Sequence, residues 1–191
     1  MLKINPKLTG ERFLPHKSNL TEVAVNIERY LYALHHCEDK TVLDLGCGSG
    51  LGTYLYSLIA KKVIAVDYNV ETLNYVREYP FEEEKLATLL VDLENPDQCK
   101  RLLPEVDVCI ALEVLEHLED PLELLKNLKA EALVFSIPLS SLANSKWHKY
   151  KIRGGSEGLN DIRELVSEYY DVEEYHDQYG RWVFGYGIRK C

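Results

Sequence analysis

The chain has 191 residues, 46% hydrophobic and 28% charged, which is enough apolar content for one packed domain and too much for a disordered chain. Lys and Arg number 22 against 31 Asp and Glu, a net charge of −9 that argues against broad binding to nucleic acid or anionic membrane. The longest apolar runs are interrupted by Glu113, Pro138 and serines, well short of the roughly 18 residues of a membrane span, and Met1 to Phe13 carries no apolar core of a secretory signal, so a cytoplasmic protein is expected.

In chain order, Thr21 to His36 comes first, with Val23, Ile27, Tyr30, Leu31 and Leu34 at helical spacing, so that residues 1–38 form a segment able to cover a sheet edge or act as a lid. From Thr41 onward, apolar or β-branched runs alternate with stretches of helical period, the pattern of a parallel sheet covered by helices, and the fold class is α/β. The spacing predicts strands at Thr41 to Leu45, Lys62 to Asp67, Ala87 to Val91, Val106 to Leu112 and Ala132 to Ile137. Helices are expected at Leu51 to Ala60, Val70 to Tyr79, Pro96 to Leu103 and Pro121 to Leu128. The last of these opens with Asp120 as N-cap, Pro121 at the first helical position and Glu123 to close a capping box. Residues 138–158 then read as a long, substrate-side loop, followed by a helix at Leu159 to Tyr169 and strands at Tyr170 to His176 and Arg181 to Arg189 around a turn near Gly180. The organisation expected is one domain over 1–191.

The strongest local signal is Val42-Leu43-Asp44-Leu45-Gly46-Cys47-Gly48-Ser49-Gly50, a buried strand running through glycines into a helix. Glycines let backbone approach a ligand closely at a strand-to-helix turn, where free N–H groups of the helix start face the crevice at the carboxyl edge of the sheet. Counting from Gly46, the third position of a dinucleotide fingerprint falls on Leu51, and no Gly-Lys-Ser/Thr follows, so neither a pyrophosphate loop nor a P-loop fits. Asp67 ends the next strand, about 20 residues beyond the glycines, where a carboxylate accepts ribose hydroxyls. The third and fourth strands end at Asp92-Leu93 and Leu112-Glu113, so successive strands deliver acids to one edge. Cys37, Cys47, Cys99, Cys109 and Cys191 form no CxxC pair, indicating neither a disulfide framework nor a zinc site.

In this order and spacing, VLDLGCGSG, IAVDYN, VDL and ALEVLEHLEDP resemble the class I S-adenosylmethionine-dependent methyltransferases. The resemblance implies a doubly wound, Rossmann-like three-layer α/β/α fold with a seven-stranded sheet in the order 3-2-1-4-5-7-6, strand seven antiparallel. It implies S-adenosylmethionine as cofactor and assigns roles. Gly46, Cys47 and Gly48 pass beneath the cofactor, and Asp44 supports the turn and the methionine end. Asp67 holds the ribose, Tyr68 packs on adenine, Asp92 bonds the adenine amine, and Leu93 and Leu112 offer backbone. The segments Thr9 to Pro15 and Glu28 to Ala33 are similar to a subset of prokaryotic methyltransferases, several of them tied to glycan or natural-product assembly. Arg12 or Tyr30 would there meet the cofactor carboxylate, or Tyr30 would simply pack from an amphipathic helix.

The acceptor is less legible. Glu113-Val114-Leu115-Glu116-His117 stands where methylators of planar nitrogens carry an Asn/Asp-Pro-Pro-Tyr/Phe motif, which favours a small, oxygen-bearing acceptor with His117 as candidate base beside Glu113. The competing role for His117 is to stabilise the short turn before Asp120. Glu113, Glu116 and His117 have the i, i+3, i+4 spacing of one helical face, and this pattern looks like the magnesium-binding segment of small-RNA 2′-O-methyltransferases, with His148 in the region of a further ligand. No metal is expected on balance. Lys146 to Arg153 puts four cations and two aromatics into eight residues, suited to an anionic acceptor. From Glu71 to Asp120, four basic residues face fourteen acidic ones, which weighs against RNA. Two alternatives stay open: a magnesium-dependent RNA 2′-O-methyltransferase, and a cofactor-binding partner subunit without an acceptor of its own.

Overall fold

The computed structural model describes residues 13–14, 17–82, 84–138, 149, 155–178 and 182–191. They fall into two compact units, one up to Val91 and one from Asp92 onward.

The first unit opens with helix α1, Leu20–His35. Its start is fixed by a capping box: Asn19 Oδ1 accepts from the Glu22 N–H at 2.9 Å and Glu22 Oε2 accepts from the Asn19 N–H at 3.2 Å. Strand β1, Thr41–Leu45, leads through the glycine turn to helix α2, Leu51–Ser57. Strand β2, Lys62–Asp67, helix α3, Val70–Val76, and strand β3, Leu86–Leu90, complete the unit. β1 and β2 pair in parallel from Thr41↔Lys62 to Leu45↔Val66, and β2 and β3 from Val63↔Leu86 to Asp67↔Leu90. Both short helices end earlier than their apolar period predicts. At the end of α3, Glu78 and Tyr79 donate to Tyr75 and Val76 three residues back, the tightened geometry expected where Pro80 forbids another α-turn. β3 is half-buried rather than a fully buried strand, because it is an edge strand with a neighbour on one side alone.

In the second unit, helix α4, Pro96–Leu102, is capped by Asn95, and strand β4, Glu105–Leu112, runs into a 3₁₀ turn at Leu115–His117. Helix α5, Pro121–Asn127, starts as expected, with Asp120 Oδ1 accepting from the Glu123 N–H at 3.1 Å. The capping box is only half formed: the Glu123 carboxylate accepts from Asn127 Nδ2 at 3.0 Å and from Lys126 Nζ at 3.3 Å, nearer partners than the cap backbone. Strand β5, Lys129–Pro138, is longer than predicted. Helix α6, Gly155–Ser167, and strands β6, Tyr170–Gln178, and β7, Trp182–Arg189, follow. The turn expected near Gly180 and most of the 138–158 loop lie outside the described residues. β4 and β5 pair in parallel, whereas β7 runs antiparallel to both β5 and β6. The predicted core strand at Trp182, Phe184 and Tyr186 buries Val183 and Phe184 and leaves Trp182 and Tyr186 half-buried.

The seven strands stand in the order β3-β2-β1-β4-β5-β7-β6, a mixed sheet with the antiparallel pairs at one end. Strand interiors such as Val42, Leu43, Ala65, Val66, Ile110 and Leu133 are buried, so the continuous apolar runs read from the sequence are core. Among the described residues, no helix is long and apolar enough to cross a membrane.

Gly50 caps α2 at φ +77°, and a Cβ there would meet Val76 Cγ2 of α3 at 2.8 Å. Gly50→Ala therefore combines left-handed strain with overpacking, and a loss of about 2 kcal/mol in urea unfolding is expected.

Candidate functional site

The turn after β1 is built from three left-handed glycines, Gly46 at φ +61°, Gly48 at +53° and Gly50 at +77°. An L side chain is strained at each of them. Beside Gly48 an added Cβ would find Gly46 O no nearer than 3.7 Å, so backbone conformation demands glycine there, whereas Gly50 needs it for closeness as well. The turn is stitched by Cys47, whose N–H donates to Val66 O at 3.0 Å and whose carbonyl accepts from the Gly50 N–H at 2.9 Å. The Cys47 side chain joins Ala65, Leu73 and Val76 in an apolar cluster, so this residue shapes the loop through its backbone. Gly46 is exposed at the open side of the turn.

Asp44 lies buried in β1 beneath this turn and accepts from Thr53 Oγ1 of α2 at 2.6 Å. Burial pushes its carboxyl up to about 7, further helped by the negative charge of Asp67, while the Thr53 hydrogen bond pulls the other way. Tyr56 is buried alongside. Desolvation, together with Asp44, Tyr30 and Cys37, holds its phenol well above the usual range, and burial with Asp44 pushes the Cys37 thiol up to about 12. Asp67 ends β2 with 5% of its surface exposed, and its Oδ1 accepts from the Asn69 N–H at 2.9 Å, which sets the carboxylate at the strand end. Tyr68, next along, is 69% exposed, a ring open to a ligand face. Tyr30 packs from α1 against the start of α2: a Cβ on Gly52 would meet Tyr30 Cε1 at 3.1 Å, and the ring lies 6.4 Å from that of Tyr56 and 6.2 Å from that of Phe13. Thr53 and Tyr56 escaped the sequence reading because a hydroxyl on an amphipathic helix carries no local signal of the carboxylate it meets.

In the second unit, Asp92 is exposed. Its Oδ1 accepts from the Glu94 N–H at 3.0 Å and its N–H donates to Gln98 Oε1 at 3.1 Å. Leu93 is half-buried, and its carbonyl and that of Asp92 receive the Cys99 thiol at 3.7 and 3.8 Å. Leu112 closes β4 in register with Ser136 of β5. The next residue, Glu113, adopts φ +56°, a left-handed conformation unusual for a glutamate. Ser136 secures it: the Glu113 N–H donates to Ser136 O at 3.0 Å and to Ser136 Oγ at 3.1 Å, and the Ser136 hydroxyl donates to Glu113 Oε1 at 2.8 Å.

This corrects the expectation of one helical face. Glu113 turns away before any helix begins, and only Leu115–His117 form a 3₁₀ turn, so Glu113, Glu116 and His117 do not share an α-helical stripe. Glu116 is buried and His117 half-buried, with the His117 N–H donating to Val114 O at 3.0 Å. Among the described residues, no group of three or more His, Cys, Asp or Glu side chains is placed to hold a metal ion. Lys149, read as a cation for an anionic acceptor, instead pairs with Glu94 and, at 3.7 Å, with Glu119, and its N–H donates to Glu116 O at 2.9 Å. Arg12 and His148 lie outside the described residues, as does the rest of the segment from Lys146 to Arg153. All five cysteines are free thiols.

A family profile described as a methyltransferase domain matches residues 17–177. The chain belongs to this family, the class I S-adenosylmethionine-dependent methyltransferases, whose fold the strand order above reproduces. A probable S-adenosylmethionine-dependent methyltransferase of Mycobacterium tuberculosis is 34% identical over 122 residues, covering 59% of this chain and 39% of the relative. A ubiquinone biosynthesis O-methyltransferase of Rickettsia bellii is 32% identical over 123 residues, covering 62% of this chain and 48% of the relative. The matched segment thus spans less than half of either relative. Among solved structures, the N-methyltransferase NodS of Bradyrhizobium japonicum in complex with S-adenosyl-L-homocysteine superposes with a TM-score of 0.72 at 15% identity, covering 97% of this chain and 95% of that one. A SAM-dependent methyltransferase from Aquifex aeolicus gives 0.69 at 18% identity, covering 94% and 100%.

The raised carboxyl of Asp44 has a consequence for stability. Between about pH 4 and 7 the folded chain keeps a proton that the unfolded chain has released, so this group makes stability fall as pH rises, by up to about 1.4 kcal/mol per unit, and stops contributing a slope above 7. In Asp44→Asn that component is absent, and its urea-derived stability relative to wild type should improve steadily from pH 4 to 7; parallel pH profiles would contradict a buried, titrating Asp44. Ser136→Ala removes the hydroxyl that bridges to Glu113, and a loss of about 1–2 kcal/mol is expected in the same measurement.

Proposed function

We propose that this protein is an S-adenosylmethionine-dependent methyltransferase acting on a small, oxygen-bearing acceptor, an anionic one to suit Lys146, Lys151 and Arg153, the cations other than Lys149 in the segment from Lys146 to Arg153. The observation that carries the cofactor half of this reading is the glycine turn itself: three left-handed glycines at alternate positions beside a buried carboxylate, followed at the end of the next strand by Asp67. Such a cradle presents backbone to a ligand too close for side chains, and a carboxylate at the second strand end suits paired ribose hydroxyls.

When bound, the cofactor supplies an electrophilic methyl on a sulfonium, so the protein's work is positioning and removal of one proton. In this reading, Gly46, Cys47 and Gly48 pass beneath the cofactor, Asp44 supports the turn, and Asp67 accepts the ribose hydroxyls. Tyr68 stacks on the adenine, Asp92 accepts its amine, and Leu93 and Leu112 contribute backbone groups. Arg12 or Tyr30 meets the cofactor carboxylate. His117 takes the acceptor proton on an imidazole nitrogen, and Glu113 orients the acceptor or steadies the resulting imidazolium.

Glu113 in place of the Asn/Asp-Pro-Pro-Tyr/Phe motif supports an oxygen acceptor, as does the similarity to an O-methyltransferase. The small-molecule reading is preferred to RNA because Lys149 is neutralised by Glu94 and Glu119 and the helical face of the magnesium reading is not formed. The free cysteines suit a reducing, cytoplasmic setting.

Calorimetric titration with S-adenosyl-L-homocysteine tests the core of the proposal. Wild type should bind, and Asp67→Ala should bind at least about tenfold more weakly for the loss of charge-assisted hydrogen bonds. Equal affinity in the variant would remove Asp67 from the site. Methyl transfer from labelled cofactor to hydroxylated acids, set against matched amines, then separates oxygen from nitrogen acceptors.

A further inference from the structure

Four elements bring ionisable side chains together under the glycine turn: Asp44 from β1, Asp67 from β2, Tyr56 from α2, and Cys37 following α1, with Tyr30 of α1 acting through Tyr56. Each of these groups, when it ionises, becomes negative. Among the described residues, burial and Asp67 oppose the charge of Asp44, and the Thr53 hydroxyl favours it through a 2.6 Å hydrogen bond to Oδ2. Cys37 and Tyr56 are held protonated, so neither competes for that charge. Thr53 is fully buried in α2, the helix that the glycine turn leads into, so the hydrogen bond joins β1 to α2 across the turn.

We propose that Thr53 is a positioning residue for the cofactor: its hydroxyl favours the charged form of the Asp44 carboxylate and fixes it beneath the glycine turn, where that charge complements the cationic ammonium shared by S-adenosylmethionine and S-adenosyl-L-homocysteine. This rests on the cofactor reading above and adds to it a residue that touches no ligand and acts through Asp44. The hydroxyl needs no charge of its own, which matters in a pocket where burial resists every ion. Its proton goes to the carboxylate oxygen as a hydrogen bond and is not transferred.

The test is calorimetric binding of S-adenosyl-L-homocysteine from pH 6 to 8.5 for wild type, Thr53→Val, Thr53→Ser and Asp44→Asn. Wild-type affinity should rise with pH and level off above about 7. Thr53→Val, close to threonine in shape, should move this midpoint up by about one unit, a roughly tenfold loss near pH 6.5 that narrows by pH 8.5. Thr53→Ser should restore the wild-type profile, and Asp44→Asn should flatten it. If circular dichroism shows Thr53→Val unfolded, Thr53→Ala serves in its place with the same expectation. Uniform weakening with an unmoved midpoint would make Thr53 a packing residue only, and failure of serine to restore the profile would remove the hydroxyl as the cause. Absence of binding by wild type would instead overturn the cofactor reading from which this follows.

Discussion

The first unit is organised around a carboxylate that the fold keeps out of water. Asp44 sits buried in a parallel strand, and its charge would be costly there without a donor. Thr53 supplies one from α2, and the chain can bring α2 back over β1 only through a turn tight enough to require left-handed backbone at Gly46, Gly48 and Gly50. Gly50 also lets α3 approach, since Val76 occupies the space a side chain would need. Carboxylate, turn and helix packing are thus one arrangement, in which a change at any of the three disturbs the other two.

The second unit meets a similar geometric demand differently. At the exit of β4 the backbone again turns left-handed, but the residue is Glu113, not glycine. The strain is held by Ser136, whose hydroxyl accepts from the backbone N–H and donates to the side chain of the same glutamate. Glycine would have spared the strain and lost the carboxylate. The strain retained at this strand exit is thus held by a buried serine that bonds both the backbone and the side chain of the same residue.

Much of this architecture was readable from the chain. Apolar and β-branched runs located β1 and β2 to the residue, because a parallel strand covered on both faces is built mostly from apolar side chains. Asp120 and Pro121 located the start of α5 because capping is a local interaction. The early ends of α2 and α3 were missed because the apolar period continues into a last turn tightened by bonds to residues three back, at Leu58 and Ile59 and at Glu78 and Tyr79. The spacing of Glu113, Glu116 and His117 misled for a related reason: sequence separation implies a shared face only if the backbone is α-helical, and φ at Glu113 is not.

By itself, the sequence determined the α/β class, the glycine turn and the acids at the strand ends, since each follows from short-range sterics and periodicity. Only the tertiary structure decided which donor meets which acid. Thr53 reaches Asp44 across a strand-to-helix turn, Ser136 reaches Glu113 across 23 residues between adjacent strands, and Lys149 reaches Glu94 across 55. No local pattern encodes such pairs. They exist because packing brings two distant stretches together and leaves a buried or crowded polar atom that must find a partner.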